Sequence, residues 1–433
     1  MTKRQNRGRV IDLFAGAGGL SLGFEMGGFD VVAAVEYDPI HAAIHELNFP
    51  KTKVLCASVR DLTGRDIRKQ AGLGRAAIDV VVGGPPCQGF SLIGQRVLED
   101  PRNELVFHFL RLVDELRPKM FVMENVPGMV SGKHHQLVDE LVEQFGQIGY
   151  HVRTPYQILN AAHFGVPQDR RRLFLLGARQ GVRLPDYPRP LTSKRTRHSA
   201  HLTNNGNGDA LSPGPSVEDA IGDLPDIEEW DELFSSDRLS VRLGKPSQYA
   251  ARLRGSAPDL DDYSVPRVSE AQVLTGCLRA AHTDKSRRRF AATEPGTTEP
   301  ISRFFRLPPD GLSNTLRAGT ATDRGAFSAP RPIHPHSPRC ISVREAARLH
   351  SFPDWFRFHR TIWHGFRQIG NAVPPLLARA VAQELREALG YEAYRPRTAI
   401  KLGDDRLSAL NMREAARHFG VSASVIPTRL RKQ

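Results

Sequence analysis

Short apolar runs recur between residue 10 and about residue 177, separated by stretches in which apolar positions return with helical spacing. The runs at 10–14, 31–36, 54–58, 80–83, 120–123 and 172–177 read as strands, and the stretches between them as helices. Regular alternation of the two predicts an α/β fold wound on a mainly parallel sheet. Within each run the apolar residues follow one another without a polar face, the pattern of strands covered on both sides. The sheet is therefore expected at the centre of the molecule.

The pattern breaks near Gln180. Proline, serine, asparagine and arginine dominate 183–215, and basic clusters stand at 194–198 and 285–289, so a loop-rich module is expected to run to about residue 335. Helical signals then resume: Ser342 with Glu345 three residues later forms a capping-box start for a helix at 343–350, with Phe352-Pro353 after its end. Another helix is expected after Pro374-Pro375. Near the end, Asn411 with Glu414 marks a further helix start, Gly420-Val421-Ser422 a turn, and 424–431 a second, basic helix. That pair reads either as a helix-turn-helix-like element touching DNA or as an amphipathic pair packed on the body. The resulting organisation is a first body at 1–185, a module at 186–335, a return to the first body at 336–392 and an extension at 393–433.

Composition narrows the class. The 433 residues are 40% hydrophobic, enough to bury a sizeable core, and at roughly 150 residues per domain they suggest two or three domains. A formal charge of +13 favours a polyanionic partner, nucleic acid or an anionic surface. No run approaches the roughly 20 apolar residues of a membrane span, and the basic start at 1–9 leads into an apolar stretch interrupted by Asp12, unlike a secretory signal. A cytoplasmic location without membrane contact is expected. Cys56, Cys87, Cys277 and Cys340 lie far apart with no ligand spacing, so neither a disulfide framework nor a metal site is expected.

Two stretches carry candidate chemistry. Asp12-Leu13-Phe14-Ala15-Gly16-Ala17-Gly18-Gly19-Leu20 puts a glycine-rich turn between the first strand and a helix, where a nucleotide-type cofactor needs close backbone approach. Glu36 ends the next strand, about 20 residues on, where a carboxylate accepts from both ribose hydroxyls of an adenosine. Ser21 stands where a dinucleotide fingerprint has its third glycine, which favours a ligand without a pyrophosphate. Asp61, after the third strand, is placed to bond an adenine amino group. Taken alone, these glycines also fit a purely packing role.

The second stretch, Gly83-Gly84-Pro85-Pro86-Cys87-Gln88-Gly89-Phe90-Ser91, leaves the carboxyl end of the fourth strand, where open α/β sheets bind ligands. Its prolines stiffen a loop that presents Cys87, whereas Cys56, Cys277 and Cys340 read as small buried hydrophobes. Glu124 ends the following strand, bringing an acid to the same edge. Singly, Cys87 fits a structural thiol equally well, and Glu124 a cap or a surface ion pair.

The chain resembles the cytosine-C5 DNA methyltransferases. The resemblance rests on Phe14-Ala15-Gly16-Ala17-Gly18-Gly19, Pro85-Pro86-Cys87-Gln88, Glu124-Asn125-Val126, Gln168-Asp169-Arg170-Arg171-Arg172, Arg344-Glu345 and Gln368-Ile369-Gly370-Asn371-Ala372-Val373-Pro374-Pro375, in the family's order. It implies a Rossmann-like methyltransferase sheet with a smaller, loop-rich target-recognition domain at 186–335, S-adenosylmethionine as cofactor and double-stranded DNA as partner. In the cofactor pocket it implies Phe14 against adenine, Gly16, Gly18 and Gly19 facing the methionine part, and Glu36 on the ribose. Asp61 would meet the adenine amino group, Tyr37, Leu62, Pro86 and Leu105 would form the walls, and Asn371 and Val373 would complete the pocket from the far end of the chain.

For the chemistry the resemblance implies Cys87 as a nucleophile adding to C6 of cytosine, and Glu124 as the acid at N3. Arg170 and Arg172 would orient the base carbonyl, a phosphate or Glu124, and Arg170 with the backbone amides at the sheet edge would supply the positive potential a thiol needs when its free pKa is about 8.5. The target atoms are unreachable in a stacked duplex, so the nucleotide must be rotated out. Gln88, Ser91 and Thr315 are the implied DNA contacts, the last in Asn314-Thr315-Leu316. A monomer in a restriction-modification or phage-defence setting, associated with the nucleoid, completes the expectation. Two rivals remain at this stage. A transfer-RNA methyltransferase with the same core is disfavoured by the length of the middle module, and a catalytically silent DNA-binding relative by the presence of both Cys87 and Glu124.

Overall fold

The structure is a computed structural model, described here for residues 4–5, 7–86, 104–130, 135–195, 211–268, 270, 272–319 and 331–426. Its first half alternates β1 (Arg4–Gln5), β2 (Arg9–Leu13), α1 (Gly19–Met26), β3 (Asp30–Glu36), α2 (Pro39–Asn48), β4 (Lys53–Cys56), α3 (Gly64–Gln70), β5 (Val80–Gly83), α4 (Glu104–Leu116), β6 (Met120–Asn125), α5 (His135–Gln147), β7 (Tyr150–Val152), β8 (Gln157–Asn160) and β9 (Arg171–Arg179). The strands order as β4-β3-β2-β5-β6-β9-β7, with β8 also on β9. The five from β4 to β6 are parallel, and β9 runs antiparallel to β6.

All six expected strands are present, each within a few residues of its expected limits. β7 and β8 are additions: three and four residues long, they pair only with β9 and carry exposed polar positions, so neither makes an apolar run. The unalternated strands are indeed covered twice. Ile11, Leu13, Val81 and Phe121 face one layer with α4 and α5, while Val10, Val80, Val82 and Val122 face another with α1.

That second layer also holds α11 (Pro375–Ala388), which follows α6 (Val217–Ile221), α7 (Gln248–Arg254), α8 (Asp284–Ala292), α9 (Val343–Leu349) and α10 (Ile362–Asn371) in the chain. A Cβ on Gly23 would lie 2.2 Å from the Ala378 Cβ, and one on Gly27 2.5 Å from that of Ala382. Small residues on both helices thus let α11 lie close against α1.

The middle stretch of the chain is built from short helices and a small antiparallel pair, β10 (Arg238–Ser240) with β11 (Val273–Thr275), whose connection contains α7. Val217, Ile221, Leu307 and Leu316 share one core with Val343, Leu349 and Ile369 of α9 and α10, so that core spans the boundary expected at residue 335. The capping box of Ser342 and Glu345 opens α9 as expected. After β12 (Tyr391–Glu392), α12 (Met412–Phe419) starts on the capping box of Asn411 and Glu414 and ends on Gly420 in the left-handed region. It packs on α2 and buries Ala415 and Ala416, which favours the body-packing alternative for this helix. The expected partner at 424–431 extends beyond the described residues. None of the described helices is long and apolar enough to cross a membrane.

Candidate active site

The strand order reverses direction between β2 and β5: the chain leaves β2 toward β3 and β4 on one side, then crosses to β5 and β6 on the other. A crevice opens at such a switch point beyond the carboxyl ends of the strands. The glycine-rich turn leaves β2 there, and the Gly84-Pro85-Pro86 loop leaves β5 beside it.

The turn has a specific backbone. Phe14, Gly16 and Gly18 have φ of 62°, 55° and 108°, all left-handed. The Gly16 N–H donates to Glu36 Oε2 at 2.7 Å and the Asp38 N–H to Oε1 at 2.8 Å, so one carboxylate ties the β2 loop to the β3 loop. Burial raises the Glu36 pKa, with His41 and the two backbone donors opposing. A Cβ on Gly16 would meet nothing within 4 Å, so that side of the turn faces open space. A Cβ on Gly19 would lie 2.4 Å from the Val373 carbonyl oxygen, which brings Asn371, Ala372 and Val373 against the turn from the end of α10.

Beneath the turn lies a buried polar chain. Ser21 Oγ donates to Asp12 Oδ2 at 2.6 Å, and His45 stands 3.4 Å from both Ser21 Oγ and the Gly16 carbonyl. Burial pushes Asp12 up to about 7 and His45 down to about 4, leaving the imidazole neutral.

Of the other expected cofactor residues, Phe14 is half-buried, Tyr37 is 41% exposed, and Asp61 and Asn371 are exposed. Leu62 and Val373 are buried in the two sheet cores, and Leu105 packs on the first of them. Val373 thus meets the turn through its backbone. Pro86 is exposed and ends a described segment; Cys87, Gln88 and Ser91 lie outside the described residues.

Glu124, one residue before the end of β6, lies beside β5 and is 9% exposed. A Cβ on Gly84 would come within 2.8 Å of Glu124 Oε2, so the glycine admits the carboxylate against the loop that leads to Cys87. Arg172 Nε donates to Glu124 Oε1 at 2.9 Å. Desolvation raises the Glu124 pKa, and Arg172 and then Arg170 oppose it without reversing it. Asn125 anchors the same loop: its Nδ2 donates to the Pro85 carbonyl at 3.1 Å, and its Oδ1 accepts from the Val126 N–H at 2.9 Å.

Arg170 differs from expectation. Its side chain is among the most buried in the protein, and its guanidinium donates to the carbonyls of Leu316, Gly370 and Ala372, each at 2.8 Å. It clamps two distant segments together rather than presenting itself to a base or phosphate, and only its field reaches Glu124. Arg172 alone makes the expected contact. Thr315 sits on the clamped segment and donates through Oγ1 to the Asp169 carbonyl at 2.7 Å.

Two residues with no role assigned from sequence join this frame. Asn125 is the loop anchor, and Gln168, fully buried, accepts from the Leu316 N–H at 3.2 Å and donates to the Leu349 carbonyl at 3.2 Å. Both lie inside the quoted strings, but no local spacing signals their partners.

The parallel sheet with its antiparallel β9, the glycine turn after β2 at the switch point and the acid on β6, with β5 between them, define a Rossmann-like methyltransferase. Residues 8–387 match the family described as C-5 cytosine-specific DNA methylase; the chain belongs to this family and is a DNA cytosine-C5 methyltransferase. It is 55% identical over 421 residues to the type II methyltransferase M.XorII of Xanthomonas oryzae pv. oryzae, covering 97% of this chain and 94% of the relative. It is 33% identical to the type II methyltransferase M.AgeI of Thalassovita gelatinovora, covering 88% of this chain and all of that protein (100%). Among solved structures, Dnmt2 methyltransferase of S. pombe superposes with a TM-score of 0.52 over 88% of this chain and 99% of its own; at 18% identity it shares the fold.

Proposed function

We propose that the enzyme transfers a methyl group from S-adenosylmethionine to C5 of a cytosine rotated out of duplex DNA at one short sequence, through a covalent bond between Cys87 and C6, as the modification partner of a type II restriction-modification system. The observation that carries this reading is Glu124, buried against Gly84 on the loop that leads to Cys87 and one strand away from the glycine turn.

The pocket residues fit the cofactor. Gly16 faces open space with a left-handed backbone, the desolvated Glu36 carboxylate suits ribose hydroxyls, and Asp61 is exposed to meet an adenine amino group. Phe14 and Tyr37 supply aromatic faces, and Gly18, Gly19, Leu62, Pro86, Leu105, Asn371 and Val373 the remaining wall. When bound, the cofactor supplies an electrophilic methyl group on a positively charged sulfur.

The protein's own residues make C5 able to accept it. The Cys87 thiolate forms the Sγ–C6 bond, and the displaced electron pair moves toward N3, where Glu124 hydrogen-bonds or gives its proton. A carboxyl whose pKa burial raises suits that role. Arg172 fixes the carboxyl, and Asn125 fixes the Pro85 carbonyl two residues before the nucleophile. The C5 proton then passes to solvent, its electron pair re-forms the C5=C6 bond, and the C6–Sγ bond breaks to release Cys87 as a thiolate. Residues 186–335 read the sequence, with Gln88, Ser91 and Thr315 toward the DNA; phosphate contacts from the basic clusters hold the duplex.

The test is expression in a host lacking cytosine methylation, followed by bisulfite sequencing. Wild type is expected to convert one short motif to 5-methylcytosine and Cys87→Ser none. Absence of 5-methylcytosine with wild type, or its persistence in Cys87→Ser, contradicts the proposal.

A further inference from the structure

The family match ends at residue 387, and residues 391–410 beyond it make a series of contacts with the body. β12 pairs with β1, and Arg7 donates to the carbonyls of both Tyr394 and Tyr263. Ile400 then exchanges backbone bonds of 2.9 Å with Pro266 and Val268 of the middle module, and the Gly403 N–H donates to the Leu47 carbonyl of α2 at 2.8 Å.

Two side chains end the path. The Asp405 carboxylate pairs with Arg238 on β10 and with Arg360 at 2.7 Å, just before α10, the helix that leads to Asn371. Two residues on, Leu407 is 5% exposed and packs with Ala17 of the glycine turn and with Ala43, Ile44 and Leu47 of α2. Arg360 also donates to Ser408 through its N–H and Nε. One short segment thus touches the DNA-reading module at one end and the back of the cofactor turn at the other.

We infer that residues 394–410 form a strap that couples the recognition module to the cofactor turn, with Asp405 and Leu407 as positioning residues for methyl transfer. The inference rests on the assignment of 186–335 to DNA reading. A shift of the module on duplex binding moves Arg238, and through Asp405 and Leu407 it resets the turn at Ala17. Where DNA tightens cofactor binding in this way, linkage requires the cofactor to tighten DNA binding by the same factor.

The three ion-pair partners are each 34–44% exposed, so removing Asp405 costs little stability and isolates the coupling. The experiment measures the dissociation constant of S-adenosylhomocysteine by calorimetry, with and without a duplex carrying the motif found by bisulfite sequencing. Wild type is expected to bind more tightly with the duplex. Asp405→Ala is expected to keep the DNA-free constant and lose about five-fold of the tightening, and Asp405→Glu to regain part of it. Leu407→Ala is expected to weaken binding in both conditions and to abolish the tightening. Tightening in Asp405→Ala equal to wild type, or none in wild type, overturns the strap. Failure of the functional proposal shows separately, as wild-type cells without a methylated motif.

Discussion

Asp12 and Glu124 are both buried carboxyls, and their surroundings give them different work. Asp12 accepts one hydrogen bond from Ser21 and has its second oxygen buried without a partner, and burial pushes its pKa from 3.8 to about 7. Between those values the folded protein holds a proton that the unfolded chain has lost. Stability therefore falls as pH rises from about 4 to 7, and the full ionisation penalty is present above 7. Asp12→Asn removes the titration. In thermal melts from pH 5 to pH 8, the variant's Tm relative to wild type is expected to rise with pH and then level off; a constant difference contradicts the assigned cause. Glu124 faces the site, and Glu124→Gln loses the acid while nearly keeping the shape. Its kcat is expected to fall about 10²–10⁴-fold with cofactor affinity unchanged, as single-turnover assays and calorimetry would show.

At this scale the sequence was readable where chemistry is local. Cys56, Cys277 and Cys340 are buried, as apolar surroundings imply, and Arg172 meets Glu124. Arg170 was expected from the resemblance to orient a base carbonyl, a phosphate or Glu124, and instead its guanidinium donates to buried carbonyls. Its burial depends on carbonyls at 316, 370 and 372, which no neighbouring residue announces.

At the scale of elements, the central strands were legible because burial on both faces writes itself as unbroken apolar runs. β7 and β8 were not, since short strands at β9 with exposed polar positions leave no such run. Capping boxes located α9 and α12 to within a residue. The glycine turn was legible as a motif, but what each glycine admits was not. Gly19 admits the Val373 carbonyl. Gly19→Ala is expected to push that segment away, costing about 1–3 kcal/mol of folding stability in denaturant titration and weakening cofactor binding in calorimetry. Unchanged affinity would separate the α10 end from the cofactor pocket.

For the whole molecule, the return of the chain to its first body was readable only through the Gln368-to-Pro375 string, because the pairing of α1 with α11 joins small residues some 350 positions apart. Arg170 is the clearest whole-molecule contact. It joins the end of the middle module at Leu316 to the α10 end at Gly370 and Ala372, next to β9. Arg170→Ala leaves those buried carbonyls without their donor. It is expected to cost about 3–5 kcal/mol in denaturant titration, with Arg170→Lys recovering only a fraction, since an ammonium lacks the fork that spans three acceptors.

The covalent step is the claim on which the rest of the functional account stands, and one trapping experiment addresses it. A duplex with 5-fluorocytosine at the target position carries no removable proton at C5, so the bond to C6 persists after methyl transfer. Denaturing electrophoresis and peptide mapping are expected to show one cofactor-dependent adduct per chain, located on Cys87. No adduct, or an adduct on Cys56 or any other residue, contradicts the account.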